Sequence, residues 1–236
     1  MMIHGIRRVC SRVACLSLAV GLVLLASCSR PSTAVVPAGC EQALSPCLQG
    51  KATVLMETSR GAISLEVDGE AAPVTAGNFV DLVKRGVYDG TAFHRVVKDP
   101  VAFVVQGGDP SSSDPKTSAS EYGRGSFVDP ESGDARFIPL EVRLRSEAEP
   151  RYGRVTTNPS ELLQLQLSHE RGSLAMARSQ AADSASAQFY IALRALPELD
   201  GRYAVFGRVI KGMEVVDAIE QNDRILKATV AQGVAP

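Results

Sequence analysis

The sequence predicts a mainly β domain, an antiparallel barrel or sandwich, on three observations. Apolar and β-branched residues recur in about eight short runs, most of them near-alternating. Turn signals rich in Gly, Pro, Asp and Ser separate the runs. Only two stretches, 76–85 and 213–221, carry a substantial helical pattern. A chain of 236 residues, 45% hydrophobic and 22% charged, holds enough apolar material for one well-buried domain plus a tail.

The tail comes first. Residues 1–12 contain three arginines, Arg7, Arg8 and Arg12, and no acid. Fifteen uncharged, mostly apolar residues follow from Val13 to Ser27. That is shorter than the ~20 a membrane-spanning helix needs, and it suits the apolar segment of a secretory signal. Leu25-Ala26-Ser27-Cys28 resembles a bacterial lipobox. Residues 1–27 are therefore expected to be a lipoprotein-type signal peptide. Cys28 would be the lipidated first residue, holding the protein on a bacterial membrane facing the periplasm or the cell exterior. An ordinary signal peptide with an incidental cysteine is the alternative.

Of the five cysteines, Cys10 and Cys15 lie in the leader and Cys28 is the lipid site, which leaves Cys40 and Cys47. In an exported protein this pair can form a local disulfide; two free thiols in a tether is the other reading. Residues 28–50, rich in Pro, Ser and Ala, read as lipidated cysteine plus flexible tether, with the folded domain at 51–233. That domain has no cysteine, so it offers no thiol nucleophile and no zinc ligand set. Losing the three leader arginines leaves 22 basic against 26 acidic residues, net −4. No basic patch with interleaved aromatics occurs, so nucleic acid is not an expected partner.

The domain opens with strands at 52–58 and 62–67 around a Ser59-Arg60-Gly61 turn. A helix over 76–85 follows, with Thr75 as N-cap, Phe79, Leu82 and Val83 on one face, and Gly86 at the C-terminal stop. Residues 110–136 read as a long polar loop and 137–144 as a strand. Asn158-Pro159-Ser160 caps a short helix over 161–167. Strands are expected at 172–177, 188–193, 203–210 and 225–230. A second helix over 213–221 turns Val215, Val216 and Ile219 inward.

The informative stretch lies between the first helix and the polar loop. Phe93-His94-Arg95-Val96-Val97 and Phe103-Val104-Val105-Gln106-Gly107-Gly108-Asp109 read as two strands. Alternation puts Phe93, Arg95 and Val97 on one face, and Phe103 with Val105 repeat the pattern on the next strand. An arginine on an apolar-facing side is costly unless its guanidinium has a partner. Three further blocks follow in order: Gly172-Ser-Leu-Ala-Met-Ala-Arg178, Ser184-Ala-Ser-Ala-Gln-Phe-Tyr-Ile191 and Leu199-Asp-Gly-Arg-Tyr-Ala-Val-Phe-Gly207.

With these blocks, over roughly residues 51–230, the chain resembles the cyclophilin family of peptidyl-prolyl cis-trans isomerases. The resemblance implies a closed eight-stranded antiparallel barrel with a helix covering each open end. Side chains fill an interior of that size, so a substrate must bind in an outer groove. It also implies that Arg95 is catalytic and that Gln106 orients it together with the substrate carbonyl. Phe103, Val104, Tyr190 and Leu199 would line a proline pocket, with Val104 where methionine is common. Ala177, Arg178 and Gln188 would hold the preceding residues of the peptide. Tyr203 stands where many members have histidine, and Arg178 where others have asparagine. Glu198 stands where many carry an aromatic residue. The loop at Lys98–Pro100 is about three residues longer than usual.

His94 reads as a structural histidine and His169, flanked by Glu170 and Arg171, as part of a solvated loop. These histidines lack metal-site spacing, and Gly107-Gly108 fits no phosphate loop. No cofactor is expected. The expected partners are proline-containing polypeptides and a membrane, and a monomer is expected. The function expected is isomerisation of X–Pro bonds to assist folding of exported proteins. A non-catalytic chaperone or assembly module that docks proline segments, and a structural lipoprotein, are the alternatives. Retention of both Arg95 and Gln106 separates the first from these, since docking alone needs no transition-state donor.

Overall fold

The structure is a computed structural model, and it describes residues 39–231. The expected signal peptide, Cys28 and the first part of the tether lie outside the described residues. Among the described residues no helix is long and apolar enough to cross a membrane.

β1 (Lys51–Thr58) and β2 (Gly61–Asp68) form a hairpin in continuous register from Lys51↔Asp68 to Thr58↔Gly61. α1 (Pro73–Lys84) follows, then β3 (Arg95–Val97) and β4 (Val104–Gly107), paired with Arg95 opposite Gln106. β5 (Glu141–Val142) and β6 (Arg151–Tyr152) make a separate two-stranded ribbon, and α2 (Pro159–Leu162) is a single turn. The chain ends with β7 (Ser173–Met176), β8 (Phe189–Ala192), β9 (Val205–Lys211), α3 (Met213–Ala218) and β10 (Ile225–Val230).

The main sheet is antiparallel, in the order β10-β1-β2-β9-β7-β8-β4-β3. It curls into a half-barrel and stays open, which corrects the closed barrel expected from the sequence. The cause is local. β3 has three residues, and the chain before it meets the start of β10 through isolated bonds only. Phe93 N–H donates to Asp223 O at 2.8 Å and Ile225 N–H to Thr91 O at 2.8 Å, with one bridge between Ala92 and Arg224.

Alternation along the strands sorts side chains to the two faces of the sheet. Val54, Met56, Ile63, Leu65, Val105, Leu174, Met176, Phe189, Ile191 and Phe206 turn inward. There Phe79 of α1 packs on Phe189 and Phe206, with ring centroids 5.4 and 5.2 Å apart. Val104, Ala175, Tyr190, Ala192 and Val205, their neighbours along the same strands, form a second apolar cluster on the outer face. Phe93 precedes β3 and is buried in the interior, whereas Arg95 is exposed on the outer face. The shared face expected for Phe93 and Arg95 is therefore wrong, because the strand starts two residues after the phenylalanine. Phe103 likewise joins the outer cluster while Val105 points inward.

Several elements are shorter than their sequence patterns. In the 137–144 run only Glu141–Val142 forms a ladder, while Ile138 and Leu144 make single bridges to Ala185 and Leu165. α3 ends at Ala218 because Ile219 turns extended; Val216 and Ile219 are buried, as the pattern predicted. Lys98, in the long loop, donates its ammonium to the carbonyls of Asp217 and Ile219 and so ties that loop to the end of α3. α1 begins at Pro73, whose fixed φ suits a first helical position. Thr75, the expected cap, lies inside the first turn.

The segment before β1 is not a free tether. Ser45 and Leu48 are buried, Leu48 N–H bonds Pro73 O at 3.0 Å, and Cys40 and Cys47 are joined as a disulfide with Cα atoms 5.7 Å apart. Gly77 of α1 explains how it fits so closely. A Cβ there would sit 2.0 Å from Pro46 O and 2.7 Å from Cys47 Cα. Backbone packs directly on backbone here, so the folded body extends back past residue 51.

Candidate functional site

The site lies on the outer face of the β3-β4-β8-β7 part of the sheet. A cavity of about 220 Å³ is lined by Arg95, Phe103, Val104, Gln106, Ala177, Arg178, Tyr190, Leu199 and Tyr203. Nine of the ten catalytic and substrate-binding candidates from the sequence thus meet in one place. The tenth, Gln188, lines an adjoining cleft of about 410 Å³ with Gly123, Arg124, Gly125, Ser126 and Arg178.

Register explains the meeting. Arg95 is opposite Gln106 on β4, Gln106 is opposite Tyr190 on β8, and Tyr190 is opposite Ala175 on β7. Side chains at paired positions share a face, so strand pairing alone puts a cation, an amide and an aromatic ring in a row. Val104 and Ala192, another outward pair, extend the apolar floor. Phe103, Leu199 and Tyr203 complete the walls from chain outside the strands.

Arg95 reaches the cavity with spare donors. Its Nη1 is 3.4 Å from Gln106 Oε1, a long bond, and its guanidinium lies 5.7 Å from the centroid of the Phe103 ring. A guanidinium has five N–H groups, so most remain available. Gln106 is itself held: its Nε2 donates to Gln188 Oε1 at 3.3 Å, and Gln188 Nε2 donates to Gly125 O at 2.8 Å.

The anchor of this series is Asp109, which sequence reasoning treated only as a turn residue. Its buried carboxylate accepts from Ser111 N–H at 2.9 Å, Ser111 Oγ at 2.8 Å, Gly123 N–H at 2.5 Å and Gly125 N–H at 3.2 Å. The 110–136 loop is therefore ordered, with 3-10 turns at Pro110–Ser113 and Ala119–Glu121. Gly125 must be glycine, since a Cβ would fall 2.1 Å from Asp109 Oδ1. Burial pushes the Asp109 carboxyl upward, but the hydrogen bonds from Ser111, Gly125 and Gly123 outweigh it and hold the group below the ordinary carboxylate range. A depressed folded value stabilises the protein above the ordinary range, and that stability is lost as pH falls through the folded value. Asp109→Asn is expected to cost about 1–2 kcal/mol at neutral pH in urea unfolding. It should also flatten the acid limb of stability against pH and loosen Gln188. An unchanged acid limb would remove Asp109 from this role.

Arg178 lines both cavities, and its guanidinium is engaged by backbone carbonyls. Its Nε and Nη2 donate to Arg202 O at 2.9 and 2.7 Å, and its Nη1 to Ser179 O and Gln180 O at 2.9 and 3.0 Å. The guanidinium also lies 4.9 Å from the Tyr203 ring centroid. It acts as a wedge between the two cavities, with most donors already used. Glu198 does not line either cavity; it pairs with Arg194 at 2.8 Å.

His94 is half-buried beneath Gly123, and burial lowers its pKa below the usual histidine value. His169 corrects the sequence reading outright. It is buried rather than solvated, with Nδ1 2.7 Å from Asp200 Oδ1 and Nε2 2.8 Å from the Tyr190 hydroxyl. Its partners are 31 and 21 residues away, so nothing local in the sequence signals the contact. Among the described residues there is no cluster of three or more groups able to hold a metal ion.

The chain is similar to known proteins in sequence and fold. The family model for cyclophilin-type peptidyl-prolyl cis-trans isomerases matches residues 53–234. A Synechocystis protein named as a thylakoid lumen peptidyl-prolyl cis-trans isomerase is 35% identical over 198 residues, 80% of this chain. The chain spans about half, 49%, of that relative's length. Peptidyl-prolyl cis-trans isomerase A of Dickeya dadantii is 37% identical over 173 residues, covering 71% of this chain and 70% of that protein. Among solved structures, a Cryptosporidium parvum cyclophilin-type isomerase superposes with a TM-score of 0.57 at 23% identity, over 78% of this chain and 99% of its own. The same protein crystallised in the presence of the dipeptide Ala-Pro gives a TM-score of 0.56 at 24% identity, over 77% and 99%.

Proposed function

The chain belongs to the cyclophilin-type peptidyl-prolyl cis-trans isomerases, and on that premise we propose that its outer groove isomerises X–Pro bonds in exported polypeptides from a lipid-anchored position. The observation that carries the chemistry is a guanidinium with free donors beside the apolar walls Phe103, Val104, Tyr190 and Leu199 of a cavity of about 220 Å³.

Rotation about a peptide bond faces a barrier of ~18–20 kcal/mol from C–N double-bond character. No covalent step is needed, only tighter binding of the twisted amide than of either planar form. Twisting returns a lone pair to the prolyl nitrogen, which can then accept a hydrogen bond. Arg95 supplies that donor from a guanidinium with five N–H groups and no acceptor. Phe103, Val104, Tyr190, Leu199 and Tyr203 grip the ring, so rotation occurs on its acyl side. Gln106 donates toward the carbonyl that swings. One charge-assisted bond of ~1.5–3 kcal/mol plus ring capture supplies most of the ~4 kcal/mol that a thousandfold acceleration requires. The activity is tested by isomerisation of an X–Pro tetrapeptide with the full chain in detergent, with and without a chelator. Acceleration in both is expected, and its absence in both would sink the reading.

The export reading rests on Arg7, Arg8 and Arg12, the apolar run 13–27 and Leu25–Cys28, and on the compartment in the name of the Synechocystis relative. Cys28→Ser is expected to abolish incorporation of labelled fatty acid and to leave an uncleaved precursor or a released protein. Labelling that survives in the variant would place the modification on another residue, and an unlabelled wild type would overturn the anchor.

A further inference from the structure

The proline pocket of that proposed reading has one polar feature that the isomerisation mechanism does not use. The hydroxyl of Tyr190, on the pocket floor, points away from the cavity and meets the buried ring of His169 at 2.8 Å, with the two rings stacked at 5.9 Å. On its other side the imidazole meets Asp200 Oδ1 at 2.7 Å, and the same oxygen accepts the His169 backbone N–H at 2.8 Å. His169 O accepts Leu196 N–H at 2.8 Å. The residue is therefore tied to both ends of the 196–200 segment, which carries the pocket wall Leu199.

The hydrogen-bond roles follow from the partners. A carboxylate oxygen only accepts, so Nδ1 carries the proton. In the neutral imidazole Nε2 is then an acceptor, and the Tyr190 hydroxyl donates to it. Burial holds that phenol well above its ordinary pKa, so the donor keeps its proton. Wall, imidazole and floor thus form one directional connection. Between Tyr190 and the apolar walls the remaining contacts are packing and ring edges, such as Tyr190 against Tyr203 at 5.9 Å and 83°. Packing of that kind resists compression but does not fix orientation.

We propose that His169 is a positioning residue for isomerisation: by linking the Asp200 carboxylate to the Tyr190 hydroxyl, it sets the separation and tilt of the two sides of the proline pocket. The pocket must hold the ring still while the acyl side turns, and small displacements of a binding surface cost rate steeply. The contact belongs to catalysis through Tyr190 and Leu199, since His169 itself is sealed from the cavity.

The test is a double-mutant cycle on the full chain with an X–Pro tetrapeptide. Tyr190→Phe keeps the ring and removes only the donor. His169→Phe keeps a ring and both backbone bonds. Each is expected to lower kcat/KM by about 3- to 10-fold, and the double variant by no more than the larger single loss, because both changes cut one connection. NMR should show a slowly exchanging hydroxyl proton assigned to Tyr190 in the wild type, lost in either single variant while that of the buried Tyr88, bonded to Ala187 O, remains. A role in folding alone would shift melting and leave kcat/KM unchanged well below it. Multiplying losses in the double variant, or wild-type kcat/KM in either single variant, overturns the proposal. Should His169→Phe not fold, Asp200→Ala, which removes the acceptor on Nδ1, replaces it in the cycle with the same expectation. A wild type that does not isomerise the peptide sinks the functional reading instead, which separates the two failures.

Discussion

Arg95→Ala is expected to lower kcat/KM for an X–Pro tetrapeptide by about 100-fold while melting stays within a degree or two of the wild type. The loss follows from removing one charge-assisted donor in a partly dry site, worth ~1.5–3 kcal/mol, together with the orientation that Gln106 gives it. Stability should barely move because Arg95 is exposed and its one bond, to Gln106, is long at 3.4 Å. Arg95→Lys should rescue little. An ammonium keeps the charge but loses the planar set of donors that can serve nitrogen and carbonyl together. Measurement by protease-coupled assay or NMR exchange decides the point. Equal rates for wild type and Arg95→Ala would overturn the mechanism, leaving proline docking without turnover as the better account of the groove.

The largest stability effect is expected at Glu141, a buried carboxylate that no sequence signal marked. Its Oε1 accepts Val74 N–H at 3.2 Å and its Oε2 accepts Thr75 N–H at 2.8 Å, so it takes over the capping that Ala72 cannot provide at the start of α1. Glu141→Ala strands two buried donors, and urea unfolding should show a loss of roughly 2–4 kcal/mol. Burial raises the Glu141 pKa above its ordinary value, against the pull of hydrogen bonds from Thr75 and Val74. Between the ordinary and the raised value the folded state keeps a proton that the unfolded state has released. Stability therefore falls as pH rises through that window. Glu141→Gln should remove this slope while retaining part of the cap. A stability profile identical to wild type from the ordinary carboxylate range upward would show that the group is not buried as described.

Arg95 and Gln106 were legible because the chemistry needs those residue types and because alternation plus a short break predicts two paired strands. Tyr190, Leu199 and Tyr203 were legible only through the ordered blocks that resemble a family. No local pattern indicates that a tyrosine 84 residues after Gln106 sits opposite it across a strand pair. Composition identifies 110–136 only as a long polar loop. Its order depends on one carboxylate, Asp109, collecting donors from Ser111, Gly123 and Gly125. Ser, Gly and Pro composition cannot reveal that convergence.

The remaining differences share a cause. By itself the sequence determined which segments extend, that a helix follows the first hairpin, which residues are candidates for the chemistry and which blocks belong together. Those properties depend on side-chain type and spacing within a few residues, where steric and periodic rules act directly. Tertiary structure alone decided that the sheet stays open at β3 and that residues 45–50 pack on α1 through Gly77. It also decided that Arg178 is used up as a wedge, and that His169 is buried behind the pocket instead of facing water. Each depends on partners tens of residues away, whose approach is set by the curl of the whole sheet and leaves no periodic trace in the chain.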